Sequence, residues 1–156
     1  MSTTIIGLNK KETENLTLSL NSLLANFQIY YQNLRGLHWN IKGKSFFELH
    51  VKFEEFYTDS QEKIDLIAER ILTLQGCPLH TFEDYSSLSI VPVGKNVTKD
   101  VEAVNLIVKS LSELLKIERA ILNESDEAND EGTNSMMSDF IAEQEKTIWM
   151  LNAWLN

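Results

Sequence analysis

Leu16, Leu20, Leu23, Phe27, Tyr30, Leu34 and Leu37 recur at spacings of four and three, the period that gathers side chains on one face of a helix. Asn9, followed by Glu12, has the form of an N-cap with its reciprocal acid. The spacing therefore predicts a first helix of about 30 residues starting there, and Gly43 can end it just after Asn40. A second cap, Ser45 with Glu48, opens another stripe made of Phe46, Leu49, Phe53, Ile64, Ile67, Ile71 and Leu74. Gly76 and Pro78 are expected to stop it.

Residues 77–97 lose the periodicity to both prolines, Gly94 and several serines, although TFEDYSSL has the form of a short helix. Thr98 is expected to cap a third long helix, whose apolar face (Val101, Val104, Ile107, Val108, Leu111, Leu114, Leu115, Ile117, Leu122) runs to about residue 122. The following NESDEANDEG reads as a solvated acidic turn closed by Gly132. Thr133 is expected to start a fourth helix with Met136, Met137, Phe140, Ile141, Ile148, Leu151, Trp154 and Leu155 inside. Two short connections and one long crossover match a ferritin-like four-helix bundle, all-α, with a short helix in the crossover between the second and third long helices. A cytokine-like bundle needs two long crossovers; an up-down-up-down bundle also fits the pattern, but a link of about 20 residues is longer than it needs. No repeat, low-complexity segment or boundary divides residues 1–156, so a single domain is expected.

Charge and cysteine content narrow the function. With 14 Lys+Arg against 23 Asp+Glu, the formal charge of −9 disfavours adhesion to nucleic acid or anionic membrane and makes a cation the default partner. Cys77 stands alone, which excludes an intrachain disulfide and suits a reducing cytosol. The N-terminal apolar run is too short for a signal peptide, and no run of about 18 apolar residues occurs anywhere. A soluble cytoplasmic protein is expected.

Chemistry concentrates on the second helix. At about 100° per residue, with His50 at zero, Glu54 falls near 40°, Asp65 near 60° and Glu69 near 100°. The apolar stripe of the same helix falls at about −40° to −120°. These four residues thus share a face that is not the core face. The pairs His50/Glu54 and Asp65/Glu69 are separated by about 22 Å of helix rise, whereas ligands sit about 2 Å from a metal. One chain cannot close all four on one ion. A second copy of the helix lying antiparallel brings Asp65 and Glu69 against His50 and Glu54, making two equivalent sites per dimer. The short turn around Gly43 delivers His38 to the His50 half-site. Imidazole with carboxylate suits Fe(II), Mn(II) or Zn(II), with iron favoured. The bland alternative is a salt-bridged dimer surface involving Lys52 and Lys63. His80 reads as a surface histidine, Cys77 as a spectator, and Trp39, Trp149 and Trp154 as core or interface anchors. Arg35, Phe47 and Cys77 stand three positions before the histidines. No Glu-x-x-His exists, so a di-iron site inside the bundle is not expected.

The segments LHWNIKGKSFFELHVKFEEFY, IDLIAERILTLQG and TIWMLNAWL resemble the Dps mini-ferritins over nearly the whole chain. The resemblance implies a hollow dodecamer of four-helix subunits that oxidises Fe(II) with hydrogen peroxide, or oxygen, and stores Fe(III) mineral inside. It implies that His38, His50 and Glu54 of one subunit act with Asp65 and Glu69 of another as catalytic metal ligands across a two-fold interface. Glu54 departs from the aspartate usual in that family and is one methylene longer.

Many members of that family bind DNA through a lysine-rich tail. Here only Lys10 and Lys11 lie near the start of the first helix, and the net charge repels phosphate. The alternative function from another class is a non-catalytic DNA-binding, nucleoid-compacting or helical interaction protein. The acidic turn with Glu124, Asp126, Glu127, Asp130 and Glu131 is a candidate lining for a cation pore.

Overall fold

The structure, a computed structural model, describes residues 2–156. Five helices and no extended strand occur among them: α1 Lys10–Asn40, α2 Phe46–Thr73, α3 Phe82–Leu88, α4 Asp100–Glu127 and α5 Glu131–Leu155. The four long helices form the ferritin-like bundle expected from the periodicity, with α3 riding on the crossover. Helix α1 packs on α2, α4 on α5, and α1 also meets α4 and α3. Every member of the α1 stripe is buried, and Phe27 and Phe53 are at most 1% exposed. Burying side chains of this size stabilises by about 1.5–3 kcal/mol each. No described helix is long and apolar enough to cross a membrane.

The caps depart from the sequence expectations in informative ways. Asn9 does cap α1, its side chain accepting from the Glu12 amide at 3.1 Å. Ser45 makes no side-chain cap bond, because its ψ of 15° is close to helical and not the extended conformation that aims a cap side chain at the next turn. The end of α2 is set by Gln75, at φ 69°. The Gln75 amide bonds Leu72 O and the Gly76 amide bonds Ile71 O, both at 2.9 Å, closing the helix in a Schellman turn. Gly76 is needed for space: a Cβ there would lie 2.7 Å from the Thr17 methyl.

Helix α4 runs to Glu127, past the expected end, and Thr98 does not cap it; Lys99 holds that position without a side-chain bond. The turn that follows reverses at Asn129, at φ 57°, and Asp130 caps α5 through the Thr133 amide at 3.1 Å. Gly132 lies inside α5. Asp130 is 2% exposed and bonded to Arg70 of α2 at 2.6 Å, so it stabilises the helix start and cannot line a pore.

Three asparagines of α1 hold the crossover, a role the apolar pattern does not disclose. Asn21 bonds Cys77 O and the Leu79 amide; Asn26 Oδ1 accepts from the Ile90 and Val91 amides; Asn33 bonds Pro92 O and the Gly94 amide. These amides satisfy backbone groups that have no helical partner.

Candidate metal centre

The residues 41–45 between α1 and α2 are few enough to bring the last turn of α1 beside the first turns of α2, and His38 meets His50 there. Their rings stack with centroids 3.8 Å apart and planes 11° apart. His38 Nδ1 donates to the His50 carbonyl at 2.6 Å, and His50 Nδ1 donates to the His38 carbonyl at 2.7 Å. A carbonyl oxygen only accepts, so each Nδ1 carries a hydrogen, and the neutral form of either ring has its lone pair on Nε2. Such outer bonds fix the tautomer and the ring direction of metal-binding histidines.

Glu54 lies one turn beyond His50 and is exposed. Tyr57 donates to Glu54 Oε1 at 3.1 Å and sets its ring edge-on to His38, with centroids 5.4 Å apart. Tyr57 also meets Tyr31 edge-on at 6.0 Å, while the Arg35 guanidinium lies over the rings of Tyr31 and Trp39. Desolvation, followed by the bond to Glu54, raises the Tyr57 phenol above its ordinary range. Tyr57 thus connects two of the sequence-derived candidates; helical spacing places it on the ligand side of α2, between the half-sites, but does not disclose these contacts.

Asp65 and Glu69 are also exposed, and their carboxylates have no side-chain partner among the described residues. The structure brings His38, His50 and Glu54 to one end of α2 and leaves Asp65 and Glu69 toward the other. Within the described chain, no three His, Cys, Asp or Glu side chains converge on one ion.

Lys52 pairs with Glu55 at 2.7 Å. Lys63 is 5% exposed and lies off the ligand face; its ion pairs, with the exposed Asp59 and Glu143, lie between α2 and α5. Trp39 and Trp149 are 57% and 65% exposed in this chain, so neither is a core anchor. Trp154 is half-buried, and His80 and Cys77 are exposed.

A family model described as a ferritin-like domain matches residues 18–156. A DNA protection during starvation protein of Porphyromonas gingivalis is 39% identical over 150 residues, spanning 96% of this chain and 94% of its own. The crystal structure of a Dps protein from Vibrio cholerae O1, of the superfamily of ferritin-like diiron-carboxylate proteins, superposes with a TM-score of 0.98 at 49% identity, covering 100% of this chain and 98% of that one. A Dps protein from Bacillus brevis superposes with a TM-score of 0.91 at 33% identity, covering 94% and 98%.

Proposed function

The chain belongs to the Dps family of the ferritin-like superfamily, and we propose that it is an iron-detoxifying and iron-storing ferroxidase. In this reading residues 1–156 are one Dps-type domain that acts in the cytoplasm as part of a hollow dodecamer. His38, His50 and Glu54 of one subunit, with Asp65 and Glu69 of a second, hold Fe(II) as substrate at two equivalent sites in each two-fold dimer.

The observation that carries the reading is the reciprocal histidine clamp. It holds both rings by Nδ1 and leaves Nε2 of each, in its neutral form, free for a metal, with Glu54 one turn further along α2 and the remaining carboxylates of the same helix face unpaired and out of reach. A borderline divalent metal suits this mixed nitrogen and oxygen donor set. Carboxylates stabilise Fe(III) over Fe(II) by charge, which favours oxidation at the site. Peroxide takes one electron from each of a pair of Fe(II) ions, and with two protons both oxygens leave as water, so no hydroxyl radical is released. The Fe(III) then passes to mineral in the cavity.

The deciding experiment is anaerobic Fe(II) titration of the purified protein, then addition of hydrogen peroxide or air, with oxidation stoichiometry and assembly mass measured together. Saturable Fe(II) binding followed by peroxide-driven oxidation is expected. Salt-dependent retention of DNA without iron oxidation would instead establish the non-catalytic alternative. The net charge of −9 per chain argues against strong direct DNA binding.

A further inference from the structure

Among the buried polar side chains, one from each long helix meets at a common level: Tyr30 from α1, Lys63 from α2, Glu118 from α4 and Gln144 from α5. None is more than 5% exposed. Gln144 Nε2 uses both hydrogens, one on Glu118 Oε2 at 2.5 Å and the other on the Phe140 carbonyl at 3.0 Å. Turning the amide over would set oxygen against oxygen at the Phe140 carbonyl, which can only accept, so its orientation is fixed. Glu118 Oε1 and Gln144 Oε1 then remain, both buried and both without a donor.

The charges around this layer are already committed. Lys63 Nζ is shared between Asp59 at 2.5 Å and Glu143 at 2.8 Å. Burial pushes its ammonium toward the neutral form, but these two bonds more than offset that and hold its pKa above the ordinary value. Arg119, next to Glu118 in sequence, turns outward to Glu145 at 2.8 Å. Tyr30 supplies no charge, because burial raises its phenol far above the ordinary range. The ammonium is thus already shared by Asp59 and Glu143, whose side chains reach solvent, whereas Glu118 is fully buried, and an ionised carboxylate there would be costly without a cation of its own.

We propose that Glu118 is a proton-binding site: at neutral pH it carries a hydrogen on Oε1 that Gln144 Oε1 accepts, closing an acid–amide ring between α4 and α5. One hydrogen then satisfies both remaining oxygens, with the Gln144 amide donating in return. Burial pushes the carboxyl up to about 8; the amide donor, Lys63 and Arg119 pull it partly back. A cavity of about 30 Å³ beside the ring, lined by Tyr30, Ser60, Lys63 and Gln144 among others, has room for one water and connects the layer with Asp59 and Glu143. When the proton leaves in alkaline medium, the ring opens and α4 and α5 lose one of their two bonds at this level.

Infrared spectroscopy of the intact protein in heavy water tests the assignment directly. The expected result is a protonated-carboxyl C=O band at neutral pH that fades as pH rises through about 8 and is missing from Glu118→Gln. In Lys63→Met, which removes the interior cation, the fading moves to higher pH. The wild-type and Lys63→Met titrations decide the matter even when Glu118→Gln does not fold. A neutral-pH spectrum without the band, a band that survives Glu118→Gln, or a fading point indifferent to Lys63→Met overturns the proposal.

Discussion

His38 and His50, twelve residues apart, each donate an Nδ1 hydrogen to the other's backbone carbonyl. Each residue therefore offers its ring as a candidate ligand and its backbone carbonyl as the support of the other ring. His38→Ala removes one imidazole and the stacking contact but keeps the carbonyl that holds His50 Nδ1, so the second ring retains its direction. Metal affinity, read by anaerobic Zn(II) or Fe(II) titration, is expected to fall well beyond the roughly 10–100-fold that loss of an outer bond alone produces. Because the carbonyl left in each single variant still holds the other ring, the His38→Ala/His50→Ala double variant should bind worse than either single one. A double variant that binds no worse than a single one would show that one ring does not hold its direction without the other.

Division of the site between subunits is open to a complementation test. Chains carrying Asp65→Ala and Glu69→Ala, mixed and reassembled with chains carrying His38→Ala and His50→Ala, should regain ferroxidase activity that neither parent shows. A heterodimer then contains one complete site and one empty one. Verified mixed dimers with no recovered activity would place all the ligands in one chain, against the reach argument.

The same pairing locates a symmetry axis. If residues 50–54 face residues 65–69 of an antiparallel copy, the axis crosses α2 near Asp59 and Ser60, and the exposed Thr58 and Gln61 lie close to their own copies. Arginine at both positions is expected to oppose like charges across the axis, weaken the dimer and lower iron oxidation without touching a ligand. Wild-type assembly mass together with wild-type iron stoichiometry in this variant would refute the antiparallel pairing.

The sequence discloses the bundle because its information is periodic: every member of the α1 stripe is buried where the spacing placed it. It discloses the candidate ligands because a helix converts spacing into angle. It is silent on the carbonyl clamp, since backbone acceptors leave no residue signature. The interior polar layer did leave a sign, because Glu118 stands between Leu114 and Ile121 on the inner stripe of α4 and Gln144 follows Phe140 on that of α5. Apolar counting passes over such positions. Ser45 holds the expected position but its near-helical ψ aims no side-chain bond at the next turn, while Lys99 stands in place of Thr98 and α5 starts at Glu131, ahead of Thr133; only the backbone dihedrals select among the residues near each terminus.

Asp130 illustrates the cost of that ambiguity. Buried against Arg70 and bonded to Thr133, it belongs to the junction of α2 with α5, whereas Glu131 is exposed. Asp130→Ala strands the Arg70 guanidinium and removes a cap, for which a loss of about 3 kcal/mol is expected in chemical denaturation. The salt dependence of iron uptake should be unchanged. A stable variant with a flattened salt response would return Asp130 to the ion path.

Stability should depend on pH through Glu118 with a definite sign. Its pKa rises from 4.5 to about 8 on folding, so between those values the folded chain holds a proton that the unfolded chain has released. The stabilising contribution is complete below the lower value, diminishes as pH rises and is gone above the higher one. Glu118→Gln cannot titrate and lacks this component. Denaturation midpoints of the two proteins, compared over this window, should therefore shift in favour of the variant as pH rises; a constant difference contradicts the assignment.

The asparagine ladder along α1 bears on how the chain opens. Asn26 is fully buried, and its side-chain oxygen serves the Ile90 and Val91 amides from 64 and 65 residues away. Peeling the crossover off α1 would exchange these bonds, made together by Asn21, Asn26 and Asn33, for bonds to water and would uncover the buried Val91, so detachment alone is disfavoured. The amide hydrogens of Val91 and Gly94, although they belong to no helix, should exchange with solvent as slowly as those at the centre of α1. A stretch that looks like a loose linker by composition is in this fold part of the last unit to come apart.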